Sequence, residues 1–375
     1  GWSLPSPWDA IAGDYATVDG WVRLHTNAPH HRAAALRVLG GEGQREHIAA
    51  AVSSWTAREI ESAVVAEGGC AAELRSPAAW AVHEQGLAVG REPLVAREVP
   101  GSAGDSGAAS VDTQWRPEVS RPLAGLRVLD LTRVLSGPVA TRLLAGLGAD
   151  VLRIDPLDWD EPAVVPEMTL GKRTARLDAR DPAGHDQLLA LLAHADVIVH
   201  GYRADALERL GLGDDVRSAA RPGLVDVSLD AYGHTGPWHT RRGFDSLVQM
   251  SSGIAAAGIL AGLSDRPTPL PVQALDHATG YLAAAAVLQG LAARVRAGVG
   301  SRSRLSLART AVELEHAAAL DRVASPETQR DSPRGTELVT PWGAATLLPP
   351  PFSLAGVTVR WDRAPRPLGS DAPVW

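Results

Sequence analysis

PLAGLRVLDLTRVLSGPVATRLLAGLGADVLRID, residues 122–155, decides the architecture. It opens on a short apolar run, GLRVLDL (125–131), passes through a stretch of helical period, PVATRLLAGLG (138–148), and closes on a second apolar run, ADVLRID (149–155). Val/Leu-rich runs of this length suit strands covered on both faces, and a helix between two of them is the parallel strand–helix–strand unit. Downstream the alternation continues through DPAGHDQLLALLAHA (181–195), ADVIVH (195–200), ADALERLGLG (204–213) and GLVDVSL (223–229). The pattern predicts an α/β fold with a doubly wound, mainly parallel sheet, whose ligands lie beyond the carboxyl ends of the strands. LPVQALDHATGYLAAAAVLQGLAARVRAG (270–298) reads as an extended approach to a long Ala/Leu helix. SRSRLSLA (301–308) reads as a further strand, and WGAATLLPPPFSLAGVTVRW (342–361) as strands broken by a proline turn.

Upstream the pattern is different. DGWVRLHT (19–26) is strand-like, while HRAAALRVLG (31–40), EHIAAAVSSWT (46–56) and AREIESAVVAEGG (57–69) carry apolar residues at helical spacing. The pairs Gly40–Gly41 and Gly68–Gly69 fall where helix C-caps are expected. We therefore divide the chain into a small α+β domain over 1–100, a Gly/Ser/Ala-rich linker over 101–120, and a large α/β domain over 121–375.

A net charge of -7 and a pI near 6.0 argue against a general nucleic-acid binder, so any phosphate must be met by a local group of cations. A single cysteine, Cys70, allows no internal disulfide and points to a reducing compartment. No apolar run reads as membrane-spanning, and the polar, Trp-containing start does not read as a signal peptide; the expectation is a cytoplasmic protein with no membrane partner. Of 36 basic residues only Lys172 is a lysine.

Several positions could carry chemistry. Asp276 stands where an extended segment turns into a helix, which suits an N-cap but also gives a carboxylate a helix dipole, with His277 and Gly280 leaving room for a ligand. DLTRVLSGP (130–138) leaves a strand and enters a helix with free backbone amides, a seat for phosphate or an amide. Lys172 and Arg173 adjoin before a strand, Arg203 and Arg209 follow a strand end, and YGHTGP (232–237) is a glycine-rich turn. As isolated features, these basic residues read more often as solvated surface than as a site, and the turn needs no ligand. Histidines lack metal-ligand spacing, and no GxSxG, P-loop or GxGxxG signature is present.

Read together with GKRTARLDARDPAG, ADVIVHGYRADALERLGLG, GLVDVSLDAYGHTGPWHTRRGFDSLVQMSSG and ALDHATG, residues 121–310 resemble the family III CoA-transferases, to which α-methylacyl-CoA racemase is related. The resemblance implies that Asp276 is the catalytic aspartate and that Arg133, Val134, Leu135 and Ser136 line the CoA cleft. Lys172 and Arg173 fall on a Lys-Arg pair beside it, Gly201 and Tyr202 replace an Asn-Phe pair flanking adenosine, and Arg209 and Arg242 fall on basic positions near the nucleotide phosphates. It further implies a homodimer using acyl-CoA and small carboxylic acids, CoA being a substrate and no cofactor or metal being tightly held. The expected intermediate is an aspartyl-linked acyl or CoA group. Two departures stand out: the small domain precedes the large one, as in a circular permutation, and the glycine-rich flap has no counterpart. In the racemase a histidine occupies the place of Phe244, before Asp245. An acyl-CoA racemase and a non-catalytic CoA-binding protein are the competing readings.

Overall fold

The computed structural model describes residues 2–99, 115–202, 205–320 and 335–375, so most of the linker and Arg203 lie outside the described residues. Its strands are β1 (Gly13–Ala16), β2 (Trp21–Leu24), β3 (Ala71–Glu73), β4 (Ala96–Glu98), β5 (Arg127–Leu131), β6 (Asp150–Asp155), β7 (Arg173–Arg176), β8 (Val197–His200), β9 (Val225–Asp230), β10 (Ser301–Ser306), β11 (Thr336–Thr340) and β12 (Gly343–Leu347). Helices α1 (Pro29–Leu39), α2 (Arg45–Val52), α3 (Ala57–Ala66), α4 (Pro77–Val82) and α5 (Glu84–Arg91) belong to the first hundred residues. They are followed by α6 (Ser136–Gly146), α7 (Val165–Met168), α8 (Pro182–Ala193), α9 (Ala206–Arg209), α10 (Asp214–Ala220), α11 (Asp245–Ser252), α12 (Ala257–Leu260), α13 (Ala274–Ala297) and α14 (Leu307–Leu320).

Seven strands form the main sheet in the order β4-β10-β9-β8-β5-β6-β7, parallel throughout except for β4. Strand β5 lies between β6 and β8, so the chain reverses its winding at β5, and the crevice beyond β5 and β8 is the topological switch point. Register explains the two-sided core. Val128 pairs with Val151 and Val197, and Val197 with Val225, giving a row of valines that packs on the apolar faces of α6 and α13. Their neighbours Leu129, Leu152 and Ile198 point the other way, under α8.

Helix α13 packs closely on α6: a Cβ at Gly280 would come within 2.5 Å of the Ser136 carbonyl oxygen. The glycine therefore admits a neighbouring backbone rather than a ligand. With its approach, residues 271–297, this helix is also long and apolar enough to cross a membrane by length and composition, against the sequence expectation, but half of its most apolar window is buried inside the molecule.

The N-terminal residues build a three-stranded antiparallel sheet, β1-β2-β3, over a core that includes Val22, Leu24, Ile48, Ile60 and Val64. Gly40 and Gly68 take positive φ at helix ends, as the sequence suggested. The segment also extends into the main sheet, because β4 pairs antiparallel with β10. A boundary at residue 100 thus assigns a strand of the large sheet to the small unit; the chain reaches that edge before the linker begins. At the opposite edge the C-terminal tail covers β7, Asp371 N–H donating to Thr174 O at 2.8 Å. Only Gly343–Leu347 of the predicted terminal strands forms one, pairing with β11; residues 348–361 are irregular.

Candidate active site

A cleft of about 410 Å³ opens at the switch point, between the carboxyl ends of β5, β8 and β9 and the helix α1 of the N-terminal unit. Arg133, Val134, Leu135, Ser136, Gly201, Tyr202, Arg242 and Asp276 all line it. Eight positions proposed from sequence therefore meet in one place, although they come from four separate segments.

Asp276 is not the N-cap of its helix. Gln273 holds that position, Asp276 being the third helical residue. The cap is supplied from elsewhere: Asp245 Oδ2 accepts the N–H groups of Leu275 at 2.8 Å and Asp276 at 3.1 Å, while its Oδ1 accepts Gln249 Nε2 at 2.6 Å. A remote carboxylate does the capping, and the Asp276 side chain is left to face the cleft with no donor bonded to it among the described residues. Burial, and then the Asp245 charge, raise the Asp276 carboxyl well above the usual 3.8. Burial raises Asp245 too, but its three donors favour the ionised form, so Asp276 is the more strongly raised of the two. The helix dipole, expected to keep Asp276 ionised, is outweighed by these two effects.

Backbone strain brackets the site. Val134 has φ 65°, and Val272 and Gln273, immediately before α13, have φ 55° and 50°. Left-handed backbone at β-branched residues is unfavourable and costs on the order of 1–3 kcal/mol each.

Two cations face the cleft without an acidic partner among the described residues. Arg133 lies over the rings of Trp159, at 4.7 Å, and Tyr202, at 5.2 Å. Arg242 donates to Gly68 O at 2.7 Å. His30 senses both: burial, then Arg242 and Arg133, lower its pKa. Its neighbour His31 is taken to about 3 by burial and by His30 and Arg242, so both rings stay neutral at physiological pH.

Three predicted positions are elsewhere. Lys172 is fully buried under the cleft loop, with Nζ donating to Asp130 Oδ2 at 2.9 Å, Thr141 Oγ1 at 2.6 Å and Pro138 O at 3.0 Å. Burial lowers its ammonium to about 8 despite Asp130, whereas Lys172, Arg153 and two threonine hydroxyls outweigh burial at Asp130 and hold that carboxyl below its usual value. The pair is therefore charged at neutral pH and neutralised internally; it buttresses α6 and reaches no ligand. Arg173 begins β7, at the amino end of the sheet and away from the cleft, paired with Asp150 at 2.9 Å. Arg209 is exposed and paired with Asp205 at 2.7 Å, one helical turn away.

Sequence reasoning passed over His30, His31, Trp159 and Arg241, which line the cleft, and Glu161, which accepts the Val134 N–H at its wall. His30 and His31 arrive from a different unit, and Trp159 and Glu161 sit on a loop without periodicity. At Phe244, where the racemase has histidine, the ring stacks on His25 at 3.7 Å and 9°.

The family model of CoA-transferase family III matches residues 123–343, more than half of the chain, and the chain belongs to that family. An acyl-CoA transferase of Gibberella moniliformis is 31% identical over 315 residues, covering 78% of this chain and 54% of that protein. That alignment is longer than the residues from Leu123 onward could supply, so it reaches into the N-terminal unit. Mouse succinyl-CoA:glutarate CoA-transferase is 34% identical over 214 residues, 53% of this chain and 48% of its own length. The crystal structure of Rv3272 from M. tuberculosis superposes with a TM-score of 0.50 at 31% identity, covering 54% of this chain and 57% of that one. The chain spans about half the length of the curated relatives it matches.

Proposed function

We propose that the protein transfers CoA from an acyl-CoA to a free carboxylic acid, with Asp276 as the nucleophile. The observation that carries this reading is a buried carboxylate, freed from helix capping by Asp245, in a cleft that also presents Arg133 and Arg242. The unpaired guanidinium groups supply the local positive charge that CoA phosphates require in an acidic protein.

Ionised Asp276 attacks the thioester carbonyl, the C–S bond breaks, and CoA leaves as thiolate with an aspartyl–acyl anhydride behind. The thiolate then attacks the aspartyl carbonyl, releasing the donor acid and leaving an aspartyl-CoA thioester. An acceptor carboxylate reverses both steps. A carboxylate with a raised pKa is the better nucleophile once ionised, and binding along the long CoA molecule positions the thioester against it.

One observation favours a second reading. Asp276, its carboxyl raised well above the usual value, beside the less raised Asp245 is also an acid/base pair of the kind that could move a proton at the carbon next to the thioester carbonyl, as in a racemase. The readings separate on one experiment with a panel of acyl-CoAs and acids. Transfer predicts exchanged thioesters, a covalent adduct on the Asp276 peptide that hydroxylamine converts to a hydroxamate, and loss of exchange by orders of magnitude in Asp276→Asn while CoA still binds. Solvent deuterium at the α-carbon of a 2-methylacyl-CoA, with no adduct, would overturn transfer in favour of racemisation.

A further inference from the structure

The loop that carries Arg133 into the cleft is held in an unfavourable conformation by a residue with no contact to Asp276. Val134 has φ 65°, which a β-branched residue does not keep unless its surroundings impose it. Its N–H donates to Glu161 Oε2 at 2.9 Å, and the same oxygen accepts Trp159 Nε1 at 3.0 Å. The Glu161 side chain is only 8% exposed. Its other oxygen is gripped by Arg153, a fully buried side chain on β6 that also holds both oxygens of Asp155, at 2.9 and 2.8 Å. A chain of buried charges thus runs from the sheet to two points of the cleft wall, the Val134 amide and the Trp159 ring. The Arg133 guanidinium lies against that ring, with Tyr202 at 5.2 Å.

We infer that Glu161 is a positioning residue: its carboxylate fixes the left-handed turn at Val134 and the orientation of Trp159, and through both it sets Arg133 where an anionic ligand meets it. The identity of that anion as CoA rests on the proposed function, whereas the pin itself does not. A simpler role exists for Glu161, as a counter-ion for Arg153 alone. Arg153 retains Asp155 in either case, and only the positioning role connects Glu161 to the strain at Val134.

The test uses the full chain with Glu161→Ala and with Glu161→Gln, which keeps the shape if the alanine variant fails to fold. Hydrogen exchange followed by mass spectrometry on residues 131–137 should quicken about tenfold or more, while peptides of α8 and β9 keep their rates. Calorimetric titration with CoA should show affinity falling about tenfold or more. Val134→Gly, which adopts positive φ without a Cβ clash, should recover part of that affinity when combined with Glu161→Ala. Unchanged exchange, unchanged affinity, or an affinity loss that Val134→Gly leaves untouched overturns the inference. If the wild-type protein binds no CoA, the CoA reading is what fails, and exchange at residues 131–137 alone decides the role of Glu161.

Discussion

Ionising Asp276 places a second negative charge beside Asp245 in a buried site, and that repulsion sets the pH behaviour of the chemistry. A protonated carboxyl is not a nucleophile, so transfer should rise with pH through a pKa above 3.8, the direction given by burial and Asp245. Rates with saturating acyl-CoA, measured from acid to neutral pH, should show that limb; a limb at or below 3.8 would remove Asp276 as the titrating group. Stability should move oppositely. The folded protein holds this proton more tightly than the unfolded chain, so the stability it contributes is complete below 3.8 and is lost as pH rises through the folded value. Asp276→Asn carries no such loss, and its melting temperature should exceed that of the wild type at neutral pH, the difference closing toward pH 4.

At the scale of the element, α13 begins after two residues in left-handed backbone and depends on α11 for its cap. Asp245 links these helices to the chemistry, because it accepts the amide N–H of the residue whose carboxyl its charge raises. Asp245→Ala removes the cap and should destabilise the fold by about 1–2 kcal/mol in denaturant titration. Asp245→Asn keeps an acceptor oxygen for Leu275 and Asp276 but deletes the charge, so stability should be largely retained while the acid limb of the rate moves to lower pH. An unmoved limb in Asp245→Asn would mean that burial alone raises Asp276. The capping relation is invisible in a linear reading, since residues 245 and 276 lie 31 positions apart; ALDHATG alone suggests local capping.

Across the whole molecule, each edge of the six parallel strands is covered by a remote part of the chain: β4 lies on β10, and the C-terminal tail lies along β7. Tail tryptophans fix the second cover, Trp361 Nε1 donating to Arg142 O and Trp375 Nε1 to Leu191 O, both at 2.8 Å. Gly171, at φ 81°, lies under Trp361, its notional Cβ 2.5 Å from that ring. Removing residues 356–375 would bare β7 and the apolar ground beneath both indoles. The truncated chain should self-associate in light scattering and melt lower than the full chain, because an uncovered edge strand templates pairing with other copies. A monodisperse, equally stable truncation would show the cover to be dispensable.

The sequence by itself determined the alternation of buried strands and helices, and hence the doubly wound sheet, because apolar periodicity is a local property that GLRVLDL, ADVLRID, ADVIVH and GLVDVSL each express without help. Through its resemblance to the family III CoA-transferases it also pointed to Asp276, Arg133–Ser136, Gly201, Tyr202 and Arg242, since a short motif keeps its residue types even when its geometry is unknown. Only the tertiary structure decided what each charge does. Lys172, Arg173 and Arg209 looked like cleft cations as letters, yet each is neutralised by an aspartate: Asp130, Asp150 and Asp205. Arg133 and Arg242 remain available because no acid reaches them among the described residues. Electrostatic roles depend on distance and burial at once, and folding sets both by joining segments that periodicity treats as unrelated.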